Sequence, residues 1–385
     1  MKLFVLLPRF PYPLEKGDKL RAYHQIRQLS CNNNIILCAL TESNPKQSDI
    51  DQLKPFCSAI HIIKLNKLTS AINIVKAFFT GKPLQVGYFY SHRAKKEILS
   101  LIKNSKPDHI FCQLVRVSAY VKDLNIPKTL DYQDVFSAGV ARRSKTSPLY
   151  LKFILKSEYK RLLRYENLIF DYFDNKTIIS TPDRDLIPHP EKDKIVIIPN
   201  GVDHDFFQPM EIEKEYDVAF IGNMGYPPNI NAAEYLVKKI LPIVHRSRPE
   251  VKVMLAGANP HASVVALKSK LVTVTGWVED IREYYAKAKM FIAPMQIGTG
   301  LQNKLLEAMA MKIPCITSSL ANNALNAKSG KEILIGDSPE EFATHILNLL
   351  ENREKAEEIA NNGFLFVNKK FNWKSATQKL EELWR

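Results

Sequence analysis

Short apolar runs alternate with longer amphipathic stretches along almost the whole of this 385-residue chain. That alternation is the signature of repeated strand–helix units, whose strands pair in parallel and are covered by helices on both faces. In the first half, the pattern predicts strands at 2–7, 35–40, 59–65, 109–112, 128–131 and 177–180. In the second, it predicts strands at 217–222, 251–257, 272–276, 290–294, 313–317 and 332–336. Each set suffices for a doubly wound α/β sheet of its own, with ligand sites at the carboxyl ends of the strands. The boundary is expected within Leu186–Lys214, where Pro188, Pro190, Pro199 and Pro209 cluster and Pro199-Asn200-Gly201-Val202-Asp203 reads as a turn. The domains expected are therefore 1–195 and 196–367, followed by an amphipathic helix in 368–385 that carries Phe371 and Trp373.

Hydrophobic residues make up 45% of the chain, enough for two cores. The five cysteines contain no C-x-x-C pair, and several lie in strand-like runs, which suits reduced, buried thiols. The opening apolar run ends at Pro8 and Arg9, too soon for a signal peptide, and no later run approaches a membrane span. A cytoplasmic protein is expected. The formal charge of +14 is distributed unevenly: residues 1–200 hold 32 Lys and Arg against 18 Asp and Glu, whereas the rest balance at 22 against 22. A basic first half suits an anionic membrane, a nucleic acid or an acidic substrate, and equally suits solubility alone.

Residues 294–314 carry the clearest chemistry. A predicted strand runs into a loop holding Gly298 and Gly300, and the loop feeds a helix expected over 302–311. Such an arrangement presents free backbone N–H groups and the positive end of a helix dipole to an anion. Lys304 falls in the first turn, where the dipole disfavours a cation unless an anion is bound, and Glu307 follows on the same face, placed for a ribose diol. A surface Lys–Glu pair on an ordinary helix is the other reading of the spacing.

The stretch Gly298-Thr299-Gly300-Leu301-Gln302-Asn303-Lys304-Leu305-Leu306-Glu307-Ala308-Met309-Ala310 resembles the donor motif of GT-B glycosyltransferases, the family 4-like group, and within it bacterial exopolysaccharide-type sugar transferases. The resemblance implies two Rossmann-like doubly wound domains facing a cleft. It also implies a nucleotide-diphosphate sugar as co-substrate, retention of configuration, and neither a cofactor nor a metal. The implied donor contacts are Gly298, Thr299, Gly300, Leu301 and Asn303, with Lys304 on the diphosphate and Glu307 on the ribose. The family's first Glu of a Glu-x7-Glu pair is replaced here by Thr299.

Other pieces follow in the family's order. Phe220-Ile221-Gly222-Asn223-Met224-Gly225-Tyr226-Pro227-Pro228-Asn229 resembles the loop after the second domain's first strand and implies donor contacts at Gly222 and Asn223, without the Arg and Lys that many members carry there. Thr275-Gly276-Trp277-Val278 resembles the loop beside the nucleotide base, or is a plain strand end. Gly17 matches the glycine loop that closes over the donor phosphates, and the helix expected to begin near Asp18 carries Arg21, a second candidate cation. In Asp131-Tyr132-Gln133-Asp134, Asp134 is expected either to contact an acceptor hydroxyl or to cap a helix or brace the loop. Asn200-Gly201-Val202-Asp203 matches the interdomain turn, and the Asp203-His204-Asp205 triplet is discounted as a metal site.

Residues 142–164 hold eight Lys and Arg against Glu158 alone, interleaved with apolar side chains. They form either a basic amphipathic helix on an anionic membrane surface or a solvated face. The partners expected are thus a nucleotide sugar, a glycan or lipid-linked acceptor, and the inner face of the cell membrane. No basic motif of a known nucleic-acid module is present. A nucleotide-sugar epimerase or a catalytically silent scaffold of the same fold are the alternatives.

Overall fold

The computed structural model describes residues 1–298 and 300–384. The chain forms two compact units: residues 1–199 with 374–385, and residues 200–373.

Unit 1 contains a parallel sheet in the order β3-β2-β1-β4-β5-β6-β7. Its strands are β1 Lys2–Leu7, β2 Asn34–Thr41, β3 Ala59–Lys64, β4 His109–Gln113, β5 Lys128–Asp131, β6 Asn175–Ile178 and β7 Val196–Ile197. The chain moves outward from β1 to β3, then returns to β4 on the other side, so the switch point lies between β1 and β4. The alternation of β1 fills both faces at once. Leu3, Val5 and Leu7 enter one apolar cluster with the helix Gly17–Leu29, while Phe4 and Leu6 enter the other. The first cluster also receives Leu380 from the helix Trp373–Glu382, and Trp384 Nε1 beyond it donates to Thr129 Oγ1 at 2.8 Å.

Unit 2 repeats the winding as β10-β9-β8-β11-β12-β13, all parallel, around a single apolar core. Its strands are β8 Tyr216–Ile221, β9 Val253–Ala256, β10 Val272–Val274, β11 Ala288–Ala293, β12 Cys315–Thr317 and β13 Leu334–Ile335. The switch point falls between β8 and β11, so the loops after these two strands open at the same end of the sheet.

Several expectations shift locally. β12 begins at Cys315 because Pro314 has no N–H for the ladder, although its carbonyl accepts from Phe291 N at 3.0 Å. The helix expected from Asp18 starts at Gly17, with Lys16 at the N-cap; Asp18 sits in the first turn and accepts from Arg9 Nη1 at 2.6 Å. Residues 142–164 are not one helix: Phe136–Thr146 ends before Pro148, which opens the helix Leu149–Phe170. Cys38, Cys112 and Cys315 are buried, but Cys31 is exposed.

Candidate functional site

In unit 2, successive loops lock together beyond the carboxyl ends of the strands. Gly222 follows β8, and its N–H donates to Ala256 O at 3.0 Å. Gly257 follows β9 with φ +136°, and a Cβ there would stand 1.9 Å from Gly222 O, so only glycine permits this approach. Gly257 N donates in turn to Gly276 O at 3.1 Å, after β10. Beside Gly276, Trp277 is 72% exposed and Val278 half-buried, leaving a broad ring surface open at the rim.

The loop after β11 closes the other side. Gly298 and Gly300 hold φ of +95° and +90°, and a Cβ on Gly298 would touch Pro228 at 3.4 Å. Thr299 lies outside the described residues. The helix Asn303–Ala310 follows, with Leu305, Leu306 and Met309 buried in the core. Gln302 at its N-cap supplies no side-chain acceptor, and its carbonyl takes only the Leu305 amide, at 2.9 Å, which leaves the Asn303 and Lys304 amides for a ligand.

Lys304 projects from that first turn toward the glycine floor. Its Nζ donates to Asn229 Oδ1 at 2.5 Å, stands 4.9 Å from the Phe220 ring centre, and would lie 3.3 Å from a Cβ on Gly222. Asn229 is itself anchored, donating from Nδ2 to Asn223 O at 2.9 Å. Burial lowers the Lys304 pKa to about 8, with Glu307 opposing the shift. Glu307 does not form a surface pair with Lys304. Its Oε2 accepts from Tyr285 Oη at 2.8 Å, and burial raises its pKa while Tyr285 and Lys304 lower it.

Lys304, Gly222 and Asn223 are therefore brought together, Gly276 joins them through Gly257, and Gly298 through Pro228. Leu301 packs on the apolar core, and Asn303 Oδ1 is taken by Asn200 Nδ2 at 3.1 Å, so these two brace the loop. Reading the sequence alone missed two residues as parts of the site. Asn229 closes the motif that begins at Phe220 and was legible as its last member. Tyr285, buried in the helix Ile281–Ala286, carries no local signal.

In unit 1, Arg21 departs from expectation. It is 0% exposed and gives Nε to Asp131 Oδ2 at 2.7 Å and Nη2 to Asp131 Oδ1 at 3.1 Å. Thr177 Oγ1 donates to the same carboxylate at 3.0 Å. A guanidinium held so is a brace between its helix and β5, not a phosphate clamp at the surface. Gly17 is exposed, and a Cβ there would meet nothing within 4 Å. Asp134 does not cap the following helix, whose N-cap is Val135. Desolvation, followed by the nearby Asp183, raises the pKa of Asp134 to about 6. Arg116 stands in the same cluster, giving Nη2 to Gln85 Oε1 at 2.8 Å and lying 4.4 Å from the Phe136 ring centre. Asp203 Oδ1 accepts from Asp205 N at 3.1 Å and Phe206 N at 3.3 Å, a local turn. Among the described residues, no group of three His, Cys, Asp or Glu is arranged to hold a metal ion.

Residues 215–352, most of unit 2, match the family model described as glycosyl transferases group 1. A curated protein of Klebsiella pneumoniae, an uncharacterized 44.6 kDa protein in the cps region, is 24% identical over 97% of both chains. Among solved structures, sucrose-phosphate synthase from Thermosynechococcus elongatus superposes with a TM-score of 0.72 at 14% identity, over 100% of this chain and 98% of its own. HepE from Anabaena, solved in complex with UDP and glucose, superposes with a TM-score of 0.69 at 13% identity, over 99% and 98%. The chain thus has the GT-B fold of these structures, and the region that matches the group 1 model lies in the unit that carries Lys304 and Glu307.

Proposed function

We propose that this protein transfers a sugar from a nucleotide-diphosphate sugar to a glycan or lipid-linked acceptor in the synthesis of a cell-surface polysaccharide. The observation that carries the reading is the placing of Lys304 at an uncapped helix N-terminus, held by Asn229 over a floor where only glycine fits. A recessed cation beside open amides is a receptor for a leaving diphosphate, and each well-placed donor of this kind contributes roughly 3–4 kcal/mol to the transition state. Glu307, oriented by Tyr285, is assigned to the ribose hydroxyls, and Trp277 with the Gly276 and Val278 backbone to the base. Asp134 and its neighbours in unit 1 are assigned to the acceptor.

Transfer is taken to retain configuration. The acceptor oxygen bonds to the anomeric carbon on the face from which the diphosphate departs, and the departing phosphate oxygen receives the acceptor's proton. No protein nucleophile, metal or further cofactor is then required. The basic stretch 142–164 is assigned to the anionic inner face of the cell membrane, where a lipid-linked acceptor would lie.

The test is donor hydrolysis. Purified protein is incubated with UDP-, GDP-, ADP- and dTDP-sugars without acceptor or metal, starting with UDP-glucose because of the HepE complex, and released nucleotide is measured. Slow release from one donor is expected. Silence across the panel, with no thermal stabilisation by any nucleotide, would favour a silent scaffold.

A further inference from the structure

One face of unit 1 is built inside out for water. The helix Lys67–Thr80 docks on the protein through its small and polar side: Ser70 and Ala77 are 4% and 3% exposed, and Asn73 Nδ2 donates to Tyr90 O at 2.6 Å. The contact is tight enough that a Cβ on Gly87 would fall 2.6 Å from Ala77 Cβ. The opposite stripe consists of Leu68, Ile72, Val75 and Phe79, at helical spacing, and its end residues are 76% and 81% exposed. An apolar stripe of this spacing normally faces a core.

A second element continues the face. The helix Leu149–Phe170 opens with Leu149, Tyr150 and Phe153, all exposed. Arg161 of that helix joins the two, donating from Nη1 to Ala77 O at 3.1 Å and from Nη2 to Phe78 O at 2.8 Å. Glu158, the one acid of 142–164, is turned inward and accepts from Leu84 N and Gln85 N at 2.8 and 3.1 Å. No Asp or Glu occurs between Asp51 and Glu97, or between Asp134 and Glu158. Lys67 and Lys76 of the first helix, Lys82 just after it, Lys156 of the second and Lys145 shortly before it are all exposed.

We propose that this two-helix face seats in the headgroup boundary of an anionic bilayer, with the apolar stripe of the helix Lys67–Thr80 as the inserting element and the lysines as its electrostatic collar. The chemistry fits that occupant: apolar side chains enter the acyl boundary while the cations meet anionic headgroups. A second copy of the chain would bring two acid-free, lysine-rich faces together, and a nucleic acid would leave the apolar stripe unburied. The inference deepens the membrane part of the proposed function and rests on it, by moving the seat from basic residues alone to an apolar stripe outside them.

Flotation with phosphatidylglycerol-containing and pure phosphatidylcholine vesicles tests it. Wild type is expected to float with the anionic vesicles, less so at high salt, and to stay behind with the neutral ones. The double variant Ile72→Gln/Phe79→Gln should lose vesicle affinity by about tenfold or more, with an unchanged melting curve and unchanged nucleotide release. The pair Lys152→Gln/Lys156→Gln reports the basic stretch separately. If the apolar variant floats as well as wild type while the lysine variant does not, the inserting stripe is wrong and the basic-stretch reading survives. If wild type ignores both vesicle types, both are wrong. If wild type self-associates without lipid and the apolar variant is monomeric, the occupant is a second copy and the proposal fails.

Discussion

Lys304 Nζ and Asn229 Oδ1 meet at 2.5 Å between the first turns of two helices of unit 2, Asn303–Ala310 and Pro227–Tyr235. The contact joins two motifs that lie far apart in the chain, and it holds the lysine against both helix-dipole and desolvation penalties. A residue kept charged at such a cost is expected to matter in turnover. Lys304→Ala and Glu307→Ala should each lower donor turnover by about tenfold or more, the loss that follows from removing a charged contact to the donor. Melting curves should show both variants folded. Near wild-type turnover in both would remove the site assignment.

The same lysine predicts a pH dependence. Burial lowers its pKa from 10.5 to about 8, so the ammonium form is held below that pH and lost above it. A bound diphosphate favours the charged form and raises the pKa in the complex. Donor KM should therefore rise as pH climbs through about 8, with kcat at saturating donor changing later. Lys304→Arg keeps its charge over this range and should flatten the profile. A wild-type donor KM that stays level from neutral pH to well above 8 would contradict the assignment.

Much of this was legible in the sequence because it is local. The alternation of apolar runs placed the strands to within a few residues, and two glycines before a helix marked the loop to which the donor diphosphate is assigned. What escaped is tertiary. Nothing in the sequence around Arg21 says that Asp131, far along the chain, will claim its guanidinium inside the core. Tyr285 orients Glu307 from a helix with no motif of its own. Helix Lys67–Thr80 looks like a core helix by periodicity, and only the structure shows that its apolar stripe faces outward.

The Arg21–Asp131 pair yields a stability prediction. Both side chains are 0% exposed, so neutralising Asp131 takes the paired carboxylate from a buried guanidinium. Asp131→Asn should cost about 3–5 kcal/mol, the range for breaking a buried pair, and should lower the unfolding midpoint of unit 1 or render the protein insoluble. Arg21→Lys should also destabilise, since an ammonium cannot reproduce the two parallel contacts. A soluble Asp131→Asn protein that melts like wild type would show that the pair contributes little to the fold.

Glu166 offers the opposite case, a buried carboxyl that destabilises when charged. It is 0% exposed; its Oε1 accepts from Ser137 N at 3.1 Å, while Oε2 has no hydrogen-bond partner among the described residues. Burial raises its pKa from 4.5 to about 7, against the opposing hydrogen bonds of Ser137. The native state then holds a proton that the unfolded chain has already released, so stability falls as pH rises from about 4.5 to about 7 and stays reduced above. Glu166→Gln removes the titration and leaves a neutral group of the same shape. The variant should melt at nearly the wild-type temperature at pH 5 and above it at pH 8, by roughly 2–4 °C for each kcal/mol recovered. The difference between the two pH values is the diagnostic quantity, because altered packing alone would shift both midpoints equally. A variant that melts lower than wild type at pH 8 would show that Glu166 is held charged by contacts stronger than the Ser137 amide.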